Sequence, residues 1–243
     1  SSAPNVHHKR LLVGNLYGIE VEMDGRIIRD GGVEKIDHEG KVGIHYSESE
    51  EDKALRRWHK QEYFEIEKEF SKEWRVSLSN LSFDHYLGII KNIVPQSTKL
   101  SDTKQVFDFV ENFVRNTNID LMLYLVCEFN NLPQKVFQKA SQRLGGASFL
   151  SFQEFAPYAA FTIKIDLFFY ICMLRGFESQ DRPSHKIDLA YLYYMPFCNV
   201  FTSNDKLHKR IAPLFLRDDQ VFVDGQEFKN GLPPLDSYYE KYS

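Results

Sequence analysis

Two carboxylates bracket the stretch of the chain with the clearest chemical potential, Asp188-Leu-Ala-Tyr-Leu-Tyr-Tyr-Met-Pro-Phe-Cys-Asn-Val-Phe-Thr-Ser-Asn-Asp205. The first acid opens a helical pattern, and the second follows the short apolar run at Val200-Phe201. Carboxylates held close without counter-charges either share a proton or take up a divalent cation. Hard oxygen ligands of this kind suit Mg²⁺ or Mn²⁺. Two further acids lie upstream, Glu154 and Asp166. With Tyr158 and Thr162 they stand at steps of four, and so form one polar stripe on an otherwise apolar helix. Such a stripe lines an acidic cleft or, if buried, needs partners. Each acid also has a structural reading: Asp188 and Asp205 as helix caps, and Glu154 as the second half of a capping box begun by Ser151. His185 and His208 flank the acids, while Lys206, Lys209 and Arg210 offer either phosphate contacts or a solvated helix face.

This arrangement resembles the C-terminal signature of PIN-domain nucleases, over roughly residues 119–225. In that family an Asp opens a helix, and a strand then ends in a Thr-x-Asp-like turn bearing a second Asp. Asp188 and Val200-Phe201-Thr202-Ser203-Asn204-Asp205 match, with one extra residue between Thr202 and the acid. Ser148-Phe-Leu-Ser-Phe-Gln-Glu154 is similar in spacing to the family's strand and Glu-bearing helix. Asp120 is the nearest equivalent of the first acid, with Asp84 and Asp166 competing for that place. The resemblance implies that Asp188, Asp205, Glu154 and Asp120 are catalytic and that the first three hold Mg or Mn. It also implies that Thr202, Ser203, Asn204, Lys206 and His208 surround an RNA substrate, in a toxin or RNA-processing role.

The elements that must position these residues follow from periodicity. From residue 119 the pattern reads helix, strand, helix, helix, strand, helix, strand. Such alternation predicts a parallel sheet flanked by helices, with ligands at the carboxyl ends of its strands. Its strands are expected at Ala147–Leu150, Asn199–Thr202 and Val221–Val223. Upstream, helices are expected over about 53–73, 84–93 and from Lys104, and a strand at Trp74–Leu78. Residues 10–46 read as a small antiparallel β unit, with Leu11-Leu12-Val13, Ile19–Met23, a turn at Asp24-Gly25 and a strand at Lys41–Tyr46. The expected fold class is thus helix-rich α/β. A β appendage with an acidic linker spans 1–52, a helical region 53–115 and a PIN-like domain 116–243.

Composition bounds the function classes. With a net charge of −4, no broad phosphate-tracking basic surface is expected. It leaves room for an acidic cluster whose metal supplies local positive charge. The cysteines Cys127, Cys172 and Cys198 are odd in number and widely spaced, as expected for reduced thiols in a cytoplasmic protein. The uninterrupted apolar run Leu167–Leu174 is far short of the roughly 20 residues a membrane span needs, so no membrane partner is expected. There is no P-loop, GxGxxG, HExxH or GxSxG motif. The rival expectation is a non-enzymatic scaffold of the same fold that binds a protein partner or another copy of itself.

Overall fold

The computed structural model describes residues 4–21, 23, 33–38, 41–46, 50–79, 83–95, 97–146, 148–179 and 185–231. In chain order the elements are α1 (Pro4–Leu16), β1 (Val33–His38), β2 (Lys41–Tyr46), α2 (Glu50–His59), α3 (Glu65–Ser79), α4 (Asp84–Ile93), α5 (Thr103–Asn116) and α6 (Ile119–Phe129). They continue as α7 (Gln134–Gly145), α8 (Phe152–Phe155), α9 (Pro157–Leu174), α10 (His185–Leu192), β3 (Val200–Ser203), α11 (Lys206–Phe215), β4 (Val221–Asp224) and α12 (Gly225–Gly231). Two compact units result, one within Ile27–Leu81 and one built from Pro4–Arg26 with Ser82–Ser243. The second unit takes its first helix from before the first unit.

In the first unit β1 and β2 pair antiparallel, with Val33 opposite Tyr46. Trp74–Leu78, expected as a strand, lies inside α3. The single long helix expected over 53–73 breaks at Gln61, whose φ of 61° is left-handed. The Asp24-Gly25 turn lies outside the described residues.

The second unit is organised around α9. Fourteen of its 18 residues are buried, on every face. By length and composition alone α9 could cross a membrane. Here α1, α4, α5, α6, α8 and α10 all pack against it. Its start is fixed by a restart rather than a kink. Ser151 caps the short α8, and Pro157 then occupies the first turn of α9, where its missing N–H has no role. The orphan amides of that turn are satisfied from another helix: Asn15 Oδ1 on α1 accepts from Tyr158 N at 3.0 Å and Ala159 N at 3.2 Å.

Leu11–Val13, expected as a strand, is therefore part of a docking helix. His8, Leu12, Asn15 and Leu16 are all buried, and their spacing of three and four is helical. Gly18, at φ +88°, ends α1. Gly18 N donates to Asn15 O and Ile19 N to Gly14 O, the paired bonds of a Schellman turn. A side chain at Gly18 would also come within 2.8 Å of Arg143 Nε. That guanidinium donates to the last carbonyls of α1, at Asn15 and Leu16, and lies 4.4 Å over the Phe155 ring.

His8 docks the other end of α1. Its ring stacks on Tyr193 at 4.2 Å, Nδ1 meets Tyr158 Oη at 3.0 Å, and Nε2 meets Asn130 Oδ1 at 3.0 Å. Burial depresses its pKa to about 4, against the hydrogen bond to Asn130 and the charge of Asp166, which raise it.

Asn15→Ala should destabilise the protein by about 1–2 kcal/mol in denaturant titration, the range for a lost helix cap. His8 makes the stability pH-dependent. Its folded pKa lies below the unfolded one, so its contribution is full above about 6.5 and is lost as pH falls from there to about 4. His8→Phe should flatten the stability–pH curve across that window.

Candidate functional site

The β3–α11–β4 segment is a strand–helix–strand unit whose strands pair in parallel, with Ser203 opposite Asp224. Among the described residues this sheet has two strands. Ser148–Leu150 is not a strand, and Leu150 is 95% exposed, so the third expected strand is absent from this position. Phe215 docks α11 on the core, with its ring edge-on to Phe107, Phe161 and Phe168. Gly225 lets the strand ends close up, since a Cβ there would meet Asn204 Oδ1 at 3.0 Å.

Asp205 sits just past β3 and caps α11. Its Oδ1 accepts from Leu207 N at 2.7 Å and His208 N at 3.2 Å. This leaves the second carboxylate oxygen free of those amides. A relay of hydrogen bonds then ties the strand end to α10. Asp205 N donates to Ser203 Oγ at 3.0 Å, Ser203 Oγ meets His208 Nδ1 at 2.8 Å, and His208 Nε2 meets the Asp188 carbonyl at 2.7 Å. The carbonyl can only accept, so Nε2 carries a proton and donates to it. His208 is thus a positioning residue between α10 and the Ser203–Asp205 turn. The edges of the Tyr191 and Phe201 rings hold its plane.

Asp188 is the fourth residue of α10 and half-buried, in the first turn but not at the cap. Burial and the neighbouring Asp205 charge push its carboxyl above the usual carboxylate range, while His208 and His185 pull the other way. Among the described residues neither Asp188 nor Asp205 forms an ion pair with a lysine or arginine. Thr202, Asn204 and Lys206 are exposed around the pair.

The other expected acids are elsewhere engaged. Glu154 serves the start of α8, its own N donating to the Ser151 cap Oγ at 3.2 Å while its carboxylate accepts from Leu150 N, one residue before that cap, at 2.8 Å. Asp120 is exposed in the first turn of α6, its amide bonded to Asn118 Oδ1 at 2.7 Å. Asp84 begins α4 and is exposed. Among the described residues no three His, Cys, Asp or Glu side chains form a metal-holding group. Asp188, Asp205 and Glu154 are therefore not brought together as a ligand triple. Local capping chemistry explains Glu154, because the Ser-x-x-Glu spacing serves the helix start itself.

Asp166 is fully buried and has a counter-ion that sequence reasoning missed. Lys186 Nζ lies 3.1 Å away and the Tyr193 hydroxyl donates to the same oxygen at 2.6 Å. Burial opposes the charge on Lys186, but Asp166, Tyr193 and Tyr170 hold its pKa well above normal. Lys186 also lies over the Tyr170 ring at 5.3 Å. The signal was present as one lysine two residues before Asp188, on the opposite side of the same helix. The cysteines are free, and burial raises Cys127 to about 11, which removes it as a nucleophile.

The site is thus an unpaired two-carboxylate end of a parallel strand pair on a helix-rich body. Compared with known proteins, the chain matches no family model, no curated protein and no solved structure.

Because folding raises the pKa of Asp188, its carboxylate form is disfavoured in the fold. Its contribution is favourable below about 3.8 and is lost as pH rises through the raised value. Asp188→Asn should therefore raise the melting temperature at neutral pH, and the gain should shrink as pH falls towards 4.

Proposed function

We propose that the protein is a metal-dependent ribonuclease of PIN-like type, hydrolysing phosphodiesters at the Asp188–Asp205 pair. One observation carries this reading: two neighbouring carboxylates, one half-buried, with no cationic partner among the described residues. The donor set fits a single Mg²⁺ or Mn²⁺, because Mg²⁺ is commonly bound by one or two carboxylates and keeps water or phosphate in its other positions. Asp188 and the outer oxygen of Asp205 would hold it. Such an ion lowers the pKa of bound water and offsets charge on a phosphoryl oxygen. The Asp205 carboxylate is fixed by the α11 amides, and the His208 relay holds the backbone of Asp188 beside it. Lys206, exposed beside Asp205, would meet a substrate phosphate, and Thr202 and Asn204 would orient the scissile group. Glu154 and Asp120 have no part in this smaller set. Three free cysteines agree with a reducing, cytoplasmic setting.

A second reading, a non-enzymatic scaffold for a protein partner or a second copy, has support from the remaining acids. Asp166 pairs with Lys186, Asp224 with Lys209, and Glu178 with Arg210 through both oxygens at 2.6 Å. Charges satisfied in this way maintain a fold rather than await a metal.

Cleavage of a labelled RNA mixture with Mn²⁺, Mg²⁺ or EDTA separates the two. The nuclease reading expects metal-dependent cutting that falls at least about 100-fold in Asp188→Asn and Asp205→Asn, with both variants folded. Absence of cutting with either metal, and of any metal-induced rise in melting temperature, would leave the scaffold.

A further inference from the structure

The face of α10 that carries Asp188 also carries Tyr191, three residues on. Tyr191 is 48% exposed, and its hydroxyl makes no hydrogen bond among the described residues. The ring is nevertheless held in place, edge-on to His208 with centroids 6.1 Å apart. Behind it Phe201 packs edge-on to the same imidazole at 5.5 Å, and Phe222 of β4 lies 6.2 Å from Phe201. The outer member of this aromatic tier is therefore a supported ring with an open surface. Through His208 it is coupled to the Asp188 carbonyl. Tyr158 and Tyr193, by contrast, are buried and hydrogen-bonded within the core. Among the described residues nothing hydrogen-bonds to the Tyr191 side chain.

Resting on the ribonuclease reading, we infer that Tyr191 is a nucleobase platform beside the acid pair, where one unpaired base of the RNA stacks while its phosphate lies at Lys206 and at the cation that Asp188 and Asp205 would hold. An aromatic face takes any base, because every base has a π-face, so the platform confers position without sequence preference. It also selects for unpaired RNA, since a base inside a duplex cannot reach it without being unstacked. The chain's net charge of −4 gives this contact added weight, because the strand then gains little from overall charge.

The test is Mn²⁺-dependent cleavage of an unstructured, end-labelled RNA by the full chain, comparing wild type with Tyr191→Ala, Tyr191→Phe and Asp188→Asn. A second substrate series carries a single abasic nucleotide at successive positions around the cut. Tyr191→Ala should raise KM about tenfold, within the range for loss of one base–aromatic stack. Its kcat and melting temperature should stay near wild type, and Tyr191→Phe should stay within about twofold of wild type. At one abasic position the difference between wild type and Tyr191→Ala should vanish. Cutting that Asp188→Asn abolishes but Tyr191→Ala leaves unchanged would overturn the platform alone. So would a loss in Tyr191→Phe equal to that in Tyr191→Ala, or an abasic series with no such position. A wild-type protein that cuts no RNA would overturn both readings.

Discussion

A helix that is apolar on every face has to be covered on every face, and α9 imposes that constraint on the larger unit. Six helices meet the demand, and α1 reaches it from before residues 27–81 of the chain. The one carboxylate inside α9, Asp166, makes the constraint directional. An unpaired charge at that depth would be prohibitively unfavourable, so Lys186 and Tyr193 must face it. Both lie at the α10 end of the chain, and together they fix that helix in rotation as well as in position. Pairing of this kind sets geometry more surely than it adds net stability.

Rotation is what links the core to the surface. Residues two apart on a helix point to nearly opposite sides, so a Lys186 turned to α9 turns Asp188 away from it. That places Asp188 beside the turn after β3. Ser203, His208 and Asp205 then close the gap through a chain of hydrogen bonds. Burial, and then the neighbouring Asp205 charge, push the Asp188 carboxyl up from its ordinary value, so the fold holds the ionised pair against its own preference. A site kept at a cost to stability is a common mark of function.

How much of this was legible depended on whether the cause was local. The helix expected over 84–93 forms, and Asp205 caps α11 as its structural reading had it. The short strands near Val200 and Val221 were marked by apolar runs between turns, and they pair in parallel as expected. The reading failed where tertiary partners decide. Leu11-Leu12-Val13 resembles a strand, yet α1 exists because His8 and Asn15 dock on α9. Glu154 had the spacing of a ligand and serves its own helix start. Asp166 was visible as an anomaly, but its partner Lys186 is twenty residues away, and only the packing of α10 on α9 joins them.

Taken together, the core determines where α10 points, and α10 with the β3 turn determines where two acids meet. The central functional claim is that this meeting point holds a divalent cation. The most direct measurement is a Mn²⁺ titration of isotopically labelled protein, following paramagnetic broadening of backbone amide signals. Binding at the pair would broaden Asp188, Ser203, Asn204, Asp205 and Leu207 first, and Asp205→Asn would remove the effect. Broadening centred elsewhere, or none at concentrations that populate two-carboxylate sites, would contradict a metal-holding acid pair.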